Sequence, residues 1–184
     1  MILLRHGQSE FNLRFTLDRR DPGIADPRLT PLGQRQAEQA AAALAGAGLA
    51  RIIVSPYTRA LQTAVPLARA LGVSLTVTAG VRERTAFSCD IGSPRSVLER
   101  VWPELDFGAL EEVWWPPAEE SLQSVLGRAA RFRAEMAALP DWDETLVVSH
   151  WGFILSMTGE SLGNGEWRRC DPTAPAPDGV TLHH

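Results

Sequence analysis

Short apolar runs alternate with longer amphipathic patterns along most of this 184-residue chain. Apolar runs and period-two alternation predict strands over residues 2–4, 51–54, 73–78 and 144–149, with a last strand within 166–170. Helical spacing predicts helices over 30–44, 55–71 and 119–139, a shorter one after Ser93-Pro94, and another beginning at His150. This alternation predicts a single α/β domain over residues 1–184, a three-layer sandwich with a mostly parallel sheet and helices on both faces.

Capping residues set several of these boundaries. Thr30 and Pro31 are typical of a helix start, and Gly46 is typical of the residue that follows a helix. Ser55 and Pro56 predict the start of the next helix in the same way, and Gly72 its end. The polar stretch 13–28 predicts a surface loop. The Pro/Ala-rich run 171–179, with the tail to 184, is also expected to be loop.

The stretch from Thr85 to Ala118 is the least regular part of the pattern. Its Trp114-Trp115-Pro116-Pro117 segment is aromatic and stiff. One interpretation, which we favour, is that these rings cover the core under a long connection. The other is that they form a wall of a substrate pocket, since such walls are often aromatic.

Composition excludes several classes of protein. The chain is 45% hydrophobic and 22% charged, as is ordinary for a globular domain, and no apolar run reaches the length of a membrane span. We expect no signal peptide. A net charge of −4 argues against general nucleic-acid binding. Cys89 and Cys170 fit a reduced, cytoplasmic protein. No Cys/His cluster has metal-ligand spacing, so we expect no metal site.

The chain has few histidines and no lysine, and both facts narrow the possible chemistry. All 18 basic residues are arginine, which excludes a Schiff-base or P-loop lysine. The four histidines are His6, His150 and the terminal pair His183 and His184, which is either native or a tag remnant. His6 and His150 each follow a predicted strand directly. In open α/β sheets ligands bind beyond the carboxyl ends of strands, so both are candidate functional residues.

Two arginines also follow predicted strands, as the two histidines do. Arg5 precedes His6, and Arg59 lies one turn into the helix after the second strand. A guanidinium pairs two donors with a phosphate, and a neutral imidazole is a nucleophile. Arg14, Arg19 and Arg20 in the predicted loop form either a rim that steers an anionic substrate or an ordinary solvated surface, which is the commoner case.

Three segments together resemble the histidine phosphatase superfamily, the phosphoglycerate mutase-like proteins. They are Arg5-His6-Gly7 with Ser9 and Asn12, Ser55-Pro56-x-x-Arg59-Ala60-x-x-Thr63, and Ser149-His150-x-Gly152. The resemblance runs to about Gly163 and is patchy between Arg84 and Glu119. It implies that His6 is the nucleophile, with Arg5, Arg59 and His150 around the phosphate. Asn12 and the backbone at Gly152 are weaker candidates for further donors.

The resemblance also implies an acid that protonates the leaving group. Glu83 matches by position after the third strand, with Asp90 and Glu120 as alternatives. The implied function is hydrolysis of a small anionic phosphoester through a phosphohistidine. A phosphoglycerate mutase is the alternative, although the stretch from Asp26 to Gly33 resembles the phosphatase branch. A non-catalytic phosphoester-binding module is the third candidate, but binding alone needs neither nucleophile nor acid.

Overall fold

The computed structural model describes residues 1–181 and has a five-stranded sheet as its central layer. Its strands, in the order β3-β2-β4-β1-β5, comprise β1 (Ile2–Arg5), β2 (Arg51–Val54), β3 (Ser74–Val77), β4 (Thr145–Ser149) and β5 (Trp167–Arg169). The first four strands are mutually parallel and β5 runs antiparallel to β1. His183 and His184 lie outside the described residues.

Helices cover both faces of this sheet. They are α1 (Glu10–Asp18), α2 (Pro31–Leu44), α3 (Thr58–Leu71), α4 (Arg95–Val101), α5 (Leu122–Ala137) and α6 (Trp151–Thr158). Because side chains alternate along a strand, Ile2 and Leu4 pack with α2 and α3, whereas Leu3 packs with α5 and α6. The three-layer α/β prediction is therefore confirmed.

The prediction of a loop over 13–28 was wrong in its first part, because α1 occupies Glu10–Asp18. Ser9 caps this helix: its hydroxyl accepts from the Asn12 amide, and the Asn12 side chain accepts from the Ser9 amide. Phe11 and Phe15, one turn apart, stack on each other with their ring centres 5.3 Å apart. The capping pair and this i,i+4 aromatic pair are the sequence signals that outweigh the polar composition.

The predicted start of α3 at Ser55-Pro56 was also wrong, since the helix begins at Thr58. Its N-terminal amide donates to the Asp26 carboxylate (2.8 Å), which thus caps the helix from a distant loop. Ser55 instead contacts His150 through its hydroxyl. A tertiary contact replaced the local cap that the sequence suggested.

The Trp114 side chain lies in the core rather than in a pocket wall. Its ring packs edge-on against Tyr57, with 4.6 Å between ring centres, and its indole N–H donates to the Ser93 carbonyl. The favoured interpretation of the 114–117 segment is confirmed for this residue. None of the described helices is both long and apolar enough to cross a membrane.

Parallel pairing brings three chain segments to one edge of the sheet. The amide of His6 donates to the carbonyl of Ser149, and the amide of Ser55 donates to the carbonyl of Val148. The residues that follow β1, β2 and β4 are therefore neighbours at the carboxyl ends of the strands.

The loop after β1 is held against α2 by a close backbone approach. A Cβ on Gly33 would lie 2.1 Å from the carbonyl oxygen of Gln8, and one on Gly7 would lie 2.3 Å from the carbonyl oxygen of Gly33. Neither backbone can move without breaking its own hydrogen bonds, such as that from the Gln8 amide to the Gln36 side chain. Both positions therefore exclude a side chain.

We predict that Gly33→Ala lowers the free energy of unfolding by about 1–3 kcal/mol, the usual cost of overpacking. Gly46→Ala is the control, because a Cβ there meets nothing within 4 Å. Urea unfolding followed by circular dichroism measures both. Equal stability of the two variants would contradict this account of the contact.

Candidate active site

A cavity of about 440 Å³ opens at the carboxyl ends of the parallel strands. Its wall contains five of the seven residues to which the sequence assigned a catalytic or phosphate-binding role, namely Arg5, His6, Asn12, Arg59 and Glu83. His150 lies behind His6, fully buried, with the two imidazole centres 5.0 Å apart. Residues from four separate segments of the chain thus meet at one site, as the strand pattern predicted.

The His6 imidazole has a defined tautomer. Its Nδ1 lies 2.7 Å from the carbonyl oxygen of Gly7, which can only accept, so Nδ1 carries the proton and Nε2 keeps its lone pair. The ring is 3% exposed. Burial, followed by the charges of Arg59 and Arg5, lowers the pKa of His6 well below its ordinary value. A buried, neutral imidazole with a free lone pair is suited to nucleophilic attack.

His150 is kept neutral in the same way. Burial, then Arg59, His6 and Arg5, lowers its pKa well below the ordinary value for histidine. Its Nε2 lies 2.7 Å from the Ser55 hydroxyl, and its Nδ1 is buried with no hydrogen-bond partner within the described residues. If the serine hydroxyl donates to Nε2, Nδ1 carries the ring proton and can donate a hydrogen bond to a ligand oxygen.

Arg5 lines the cavity from the end of β1. Its Nη1 donates to the carbonyl of Leu162 (2.7 Å), while its Nε is buried and has no partner in the described part of the chain. Burial, in part offset by Glu83, lowers the pKa of this guanidinium from its ordinary value. Arg5 is thus positioned by one bond and retains donors for an anion.

Arg59 is held more firmly than the sequence suggested. Its Nη1 donates to the carbonyl of Cys89 (2.7 Å), its Nη2 contacts the Asp90 carboxylate (3.2 Å), and its guanidinium lies 4.3 Å from the Tyr57 ring centre. The side chain is 3% exposed. Asp90 thus partly offsets the charge that Arg59 offers to a ligand.

Asp90 is the main addition that the structure makes to this site. It was considered only as an alternative acid, but its carboxylate joins Arg59 to the amides of Ala86 and Phe87 (3.0 and 3.1 Å). Burial, opposed by Arg59 and reinforced by Glu83, raises the pKa of Asp90 to about 6. The third candidate acid, Glu120, is paired with Arg128 and lies outside the cavity wall.

The Glu83 carboxylate is fixed by three backbone amides. Those of Gly152 and Phe153 (3.0 and 3.2 Å) belong to the first turn of α6, and that of Arg84 (2.8 Å) is its chain neighbour. A Cβ on Gly152 would lie 2.6 Å from Oε1 of Glu83, so this approach requires glycine. The Gly152 amide, predicted to bind phosphate, instead positions Glu83.

Asn12 joins the segment after β1 to the 163–165 turn. Its Oδ1 accepts from the Ser9 amide, the Ser9 hydroxyl and the Asn164 amide group, which leaves its own amide group to face a ligand. Asn164 also donates to the His6 carbonyl (3.2 Å). Sequence reasoning missed Asn164, since its Gly-Asn-Gly context signals only a turn.

Cys89 lines the wall, but burial raises the pKa of its thiol, which therefore stays protonated and weakly nucleophilic. Within residues 1–181 no group of three His, Cys, Asp or Glu side chains is placed to hold a metal ion.

We predict that sulfate binds more tightly at pH 5.5 than at pH 7.5. Sulfate stays dianionic over this range, whereas Asp90, with its pKa of about 6, is ionised above it and protonated below it. Protonation frees the Arg59 charge, and one linked proton changes affinity by at most about tenfold per pH unit. Calorimetric titration of wild type and Asp90→Asn tests this. The variant should lose most of the pH dependence; an unchanged slope would contradict the coupling.

The chain matches the family model described as histidine phosphatase superfamily (branch 1) over residues 1–174. Among curated proteins it is 36% identical over 152 residues to the bifunctional protein Rv2228c of Mycobacterium tuberculosis, covering 82% of this chain and 40% of that protein. The chain thus spans about two fifths of the length of that relative. It is 29% identical over 177 residues to the probable phosphoglycerate mutase GpmB of Salmonella paratyphi B, covering 90% and 75% of the two chains.

Solved structures share the fold of this chain. A mycobacterial glucosyl-3-phosphoglycerate phosphatase, Rv2419c, in complex with VO3 superimposes with a TM-score of 0.65 at 27% identity, covering 91% of this chain and 88% of the other. The same phosphatase is also known in complex with inorganic phosphate. With its motif residues gathered at one cavity and the family model covering nearly its whole length, the chain belongs to branch 1 of the histidine phosphatase superfamily.

Proposed function

We propose that this protein is a phosphomonoesterase that hydrolyses a small anionic phosphoester through a phosphohistidine at His6. The observation that carries the proposal is the bond from His6 Nδ1 to the Gly7 carbonyl, which leaves a neutral Nε2 lone pair in a buried ring that lines an arginine-rich cavity. The phosphate and vanadate complexes of the 27% identical phosphatase support a phosphoryl group as ligand.

In the first step, Nε2 of His6 attacks phosphorus and the bond from phosphorus to the leaving oxygen breaks. Arg5 and Arg59 offset charge on the phosphoryl oxygens, the term by which such sites lower the barrier most. His150, behind His6, donates from Nδ1 to one of these oxygens. The electron pair of the broken bond stays on the leaving oxygen.

Glu83, in its protonated form, gives its proton to that oxygen, so the alcohol departs neutral. The resulting carboxylate then accepts a proton from water as the water oxygen attacks the phosphohistidine. The nitrogen–phosphorus bond breaks, inorganic phosphate leaves, and His6 is again neutral. The three amides around Glu83 hold its carboxyl in one orientation for both steps.

A phosphoglycerate mutase is the second candidate, and the 29% identical GpmB favours it. A mutase must keep its phosphohistidine from water while the intermediate turns round. The sequence offered Trp114 and Trp115 as a possible cover of the site, but neither lines the cavity, and Trp114 is 7% exposed in the core. This placement supports hydrolysis, as does the likeness to a solved phosphatase.

The remaining parts of the proposal concern the whole protein. We infer that residues 1–184 act as one domain on a small-molecule phosphoester, with neither nucleic acid nor membrane as partner and with no metal or cofactor. The net charge of −4 supports the first exclusion. The free thiols of Cys89 and Cys170 support a reducing, cytoplasmic location.

We predict that Glu83→Gln lowers the rate on alkyl phosphates by about 10²–10⁴, the usual contribution of a positioned acid. The loss on p-nitrophenyl phosphate should be much smaller, because nitrophenolate leaves without protonation. Steady-state kinetics on both esters measures the difference. Glu119→Gln, at an exposed carboxylate outside the cavity, is the control and should leave both rates unchanged. Equal losses on the two esters would assign the proton to another group.

We predict that phosphate release from a panel of phosphorylated metabolites exceeds mutase turnover, and that His6→Ala abolishes it. The panel includes 3-phosphoglycerate with a bisphosphoglycerate primer, with formation of 2-phosphoglycerate as the competing readout. Quenching wild type with alkaline denaturant during turnover of labelled substrate should trap acid-labile, base-stable phosphate on His6. Faster 2-phosphoglycerate formation would establish the mutase, and tight binding without turnover the binding module.

A further inference from the structure

The cavity is larger than a phosphoryl group requires, and its outer part has its own chemistry. At about 440 Å³ it falls in the range of sites for complete small molecules. The groups suited to phosphate lie at its inner end. The outer wall is formed largely by α1, the helix that the sequence pattern did not predict, together with Phe87.

Three aromatic rings form one connected surface in this outer wall. The ring centres of Phe11 and Phe15 are 5.3 Å apart, those of Phe15 and Phe87 are 5.2 Å apart, and those of Phe11 and Phe87 are 5.7 Å apart. All three rings line the cavity; Phe11 is 5% exposed, whereas Phe15 and Phe87 are half-buried. Such a surface favours a flat apolar group over a short polar chain.

The position of Phe87 is fixed by the phosphate end of the site. Its amide donates to the Asp90 carboxylate, which in turn contacts Arg59. The aromatic surface is therefore built rigidly onto the arginine that we assign to phosphate. A ligand that fills both parts meets a preorganised wall, which costs little ordering entropy.

A cation completes the outer end of the cavity. Arg19, the C-terminal cap of α1, lines the cavity and places its guanidinium 5.1 Å from the ring centre of Phe15. Arg19 lies seven positions after Asn12, or about 10 Å along a helix. Within the described residues Arg19 makes no ion pair, whereas the acidic residues of the wall, Glu83 and Asp90, are engaged at the inner end.

We propose that the substrate is a phosphoester whose leaving group carries an aromatic or similarly flat apolar unit and, beyond it, an anionic group. The flat unit packs on Phe15 and Phe87, and the anion pairs with Arg19. This inference rests on the proposed function, because it takes the inner end of the cavity as the phosphoryl site. It assigns leaving-group selection to α1, a helix that supplies no reacting atom.

Three esters of primary alcohols test the proposal: 4-carboxybenzyl phosphate, 4-methylbenzyl phosphate and n-butyl phosphate. Wild type should show the highest kcat/KM for the carboxybenzyl ester and the lowest for the butyl ester. The ring should contribute about 2- to 12-fold. The carboxylate should contribute about 2- to 5-fold, as expected for an exposed pair. Equal kcat/KM for all three esters would overturn the inference.

Variants assign each preference to its residue. Arg19→Gln should remove the advantage of the carboxybenzyl over the methylbenzyl ester and leave the other two unchanged. Phe15→Ala should bring both benzyl esters toward the butyl ester without lowering butyl turnover. Arg20→Gln is the control, because Arg20 is exposed outside the cavity wall. A uniform loss on all three esters in either test variant would overturn the assignment.

Binding measurements separate this inference from the proposed function. The matched phosphonates, 4-carboxybenzyl, 4-methylbenzyl and n-butyl, cannot be hydrolysed, and calorimetry gives their affinities in the same four proteins. If no ester releases phosphate but the phosphonates keep the predicted order, the proposed hydrolysis fails and the ligand assignment stands. If esters are hydrolysed but neither series shows the order, the ligand assignment alone fails.

Discussion

The site depends on keeping the Arg59 guanidinium charged while it is almost completely buried. Removing such an ion from water costs several kcal/mol unless hydrogen bonds and an opposite charge replace the solvent. The Cys89 carbonyl, the Asp90 carboxylate and the face of Tyr57 supply that replacement. Because these partners come from the 88–90 turn and the start of α3, the buried charge ties a loop to a helix. The same charge contributes to keeping both imidazoles neutral.

The parallel sheet turns this local arrangement into a complete site. Strands β1, β2 and β4 end side by side, so His6, Ser55 and His150 meet although nearly 150 residues separate the first from the last. Glu83 reaches the same place by accepting amides at the start of α6. Backbone atoms of another element hold Glu83 and Arg59. The two imidazoles are held differently, His6 by the carbonyl of the next residue and His150 by the Ser55 hydroxyl.

Much of this could be predicted from the sequence, and the physical reasons for the failures are specific. Apolar runs mark buried parallel strands clearly, and a histidine or arginine directly after such a run is placed by topology alone, as for His6 and His150. Capping was less secure. Ser55 has the sequence of an N-cap, but its hydroxyl is used by His150, and Asp26 caps α3 through a contact that only the folded chain makes.

The α1 helix and the pairing of Asp90 with Arg59 were not predicted from the sequence, for a related reason. The polar residues of 13–20 suggested a loop because they have no core to face, whereas in the fold their helix faces the cavity. Asp90 belongs to no recognised sequence motif, so only the structure shows that it pairs with Arg59. The candidate reacting residues could be identified from their residue types and from the strands that precede them. The residues of the outer wall are placed by contacts between distant segments, which the sequence pattern does not show.

The charges around the cavity also determine how a bound ligand affects the protonation of the two imidazoles. The two imidazoles are neutral because they are buried near arginines, and a dianionic phosphoryl group would offset the positive field of those arginines. Protonation of His150 would then strengthen its bond to the ligand, whereas protonation of His6 at Nε2 would abolish its nucleophilicity. The Gly7 carbonyl already holds the single proton of neutral His6 on Nδ1. The same ring protonated at Nε2 would have to lose that proton before it could attack phosphorus. In the proposed mechanism, Arg5 and Arg59 offset the ligand charge and so keep His6 in the neutral form that the reaction requires.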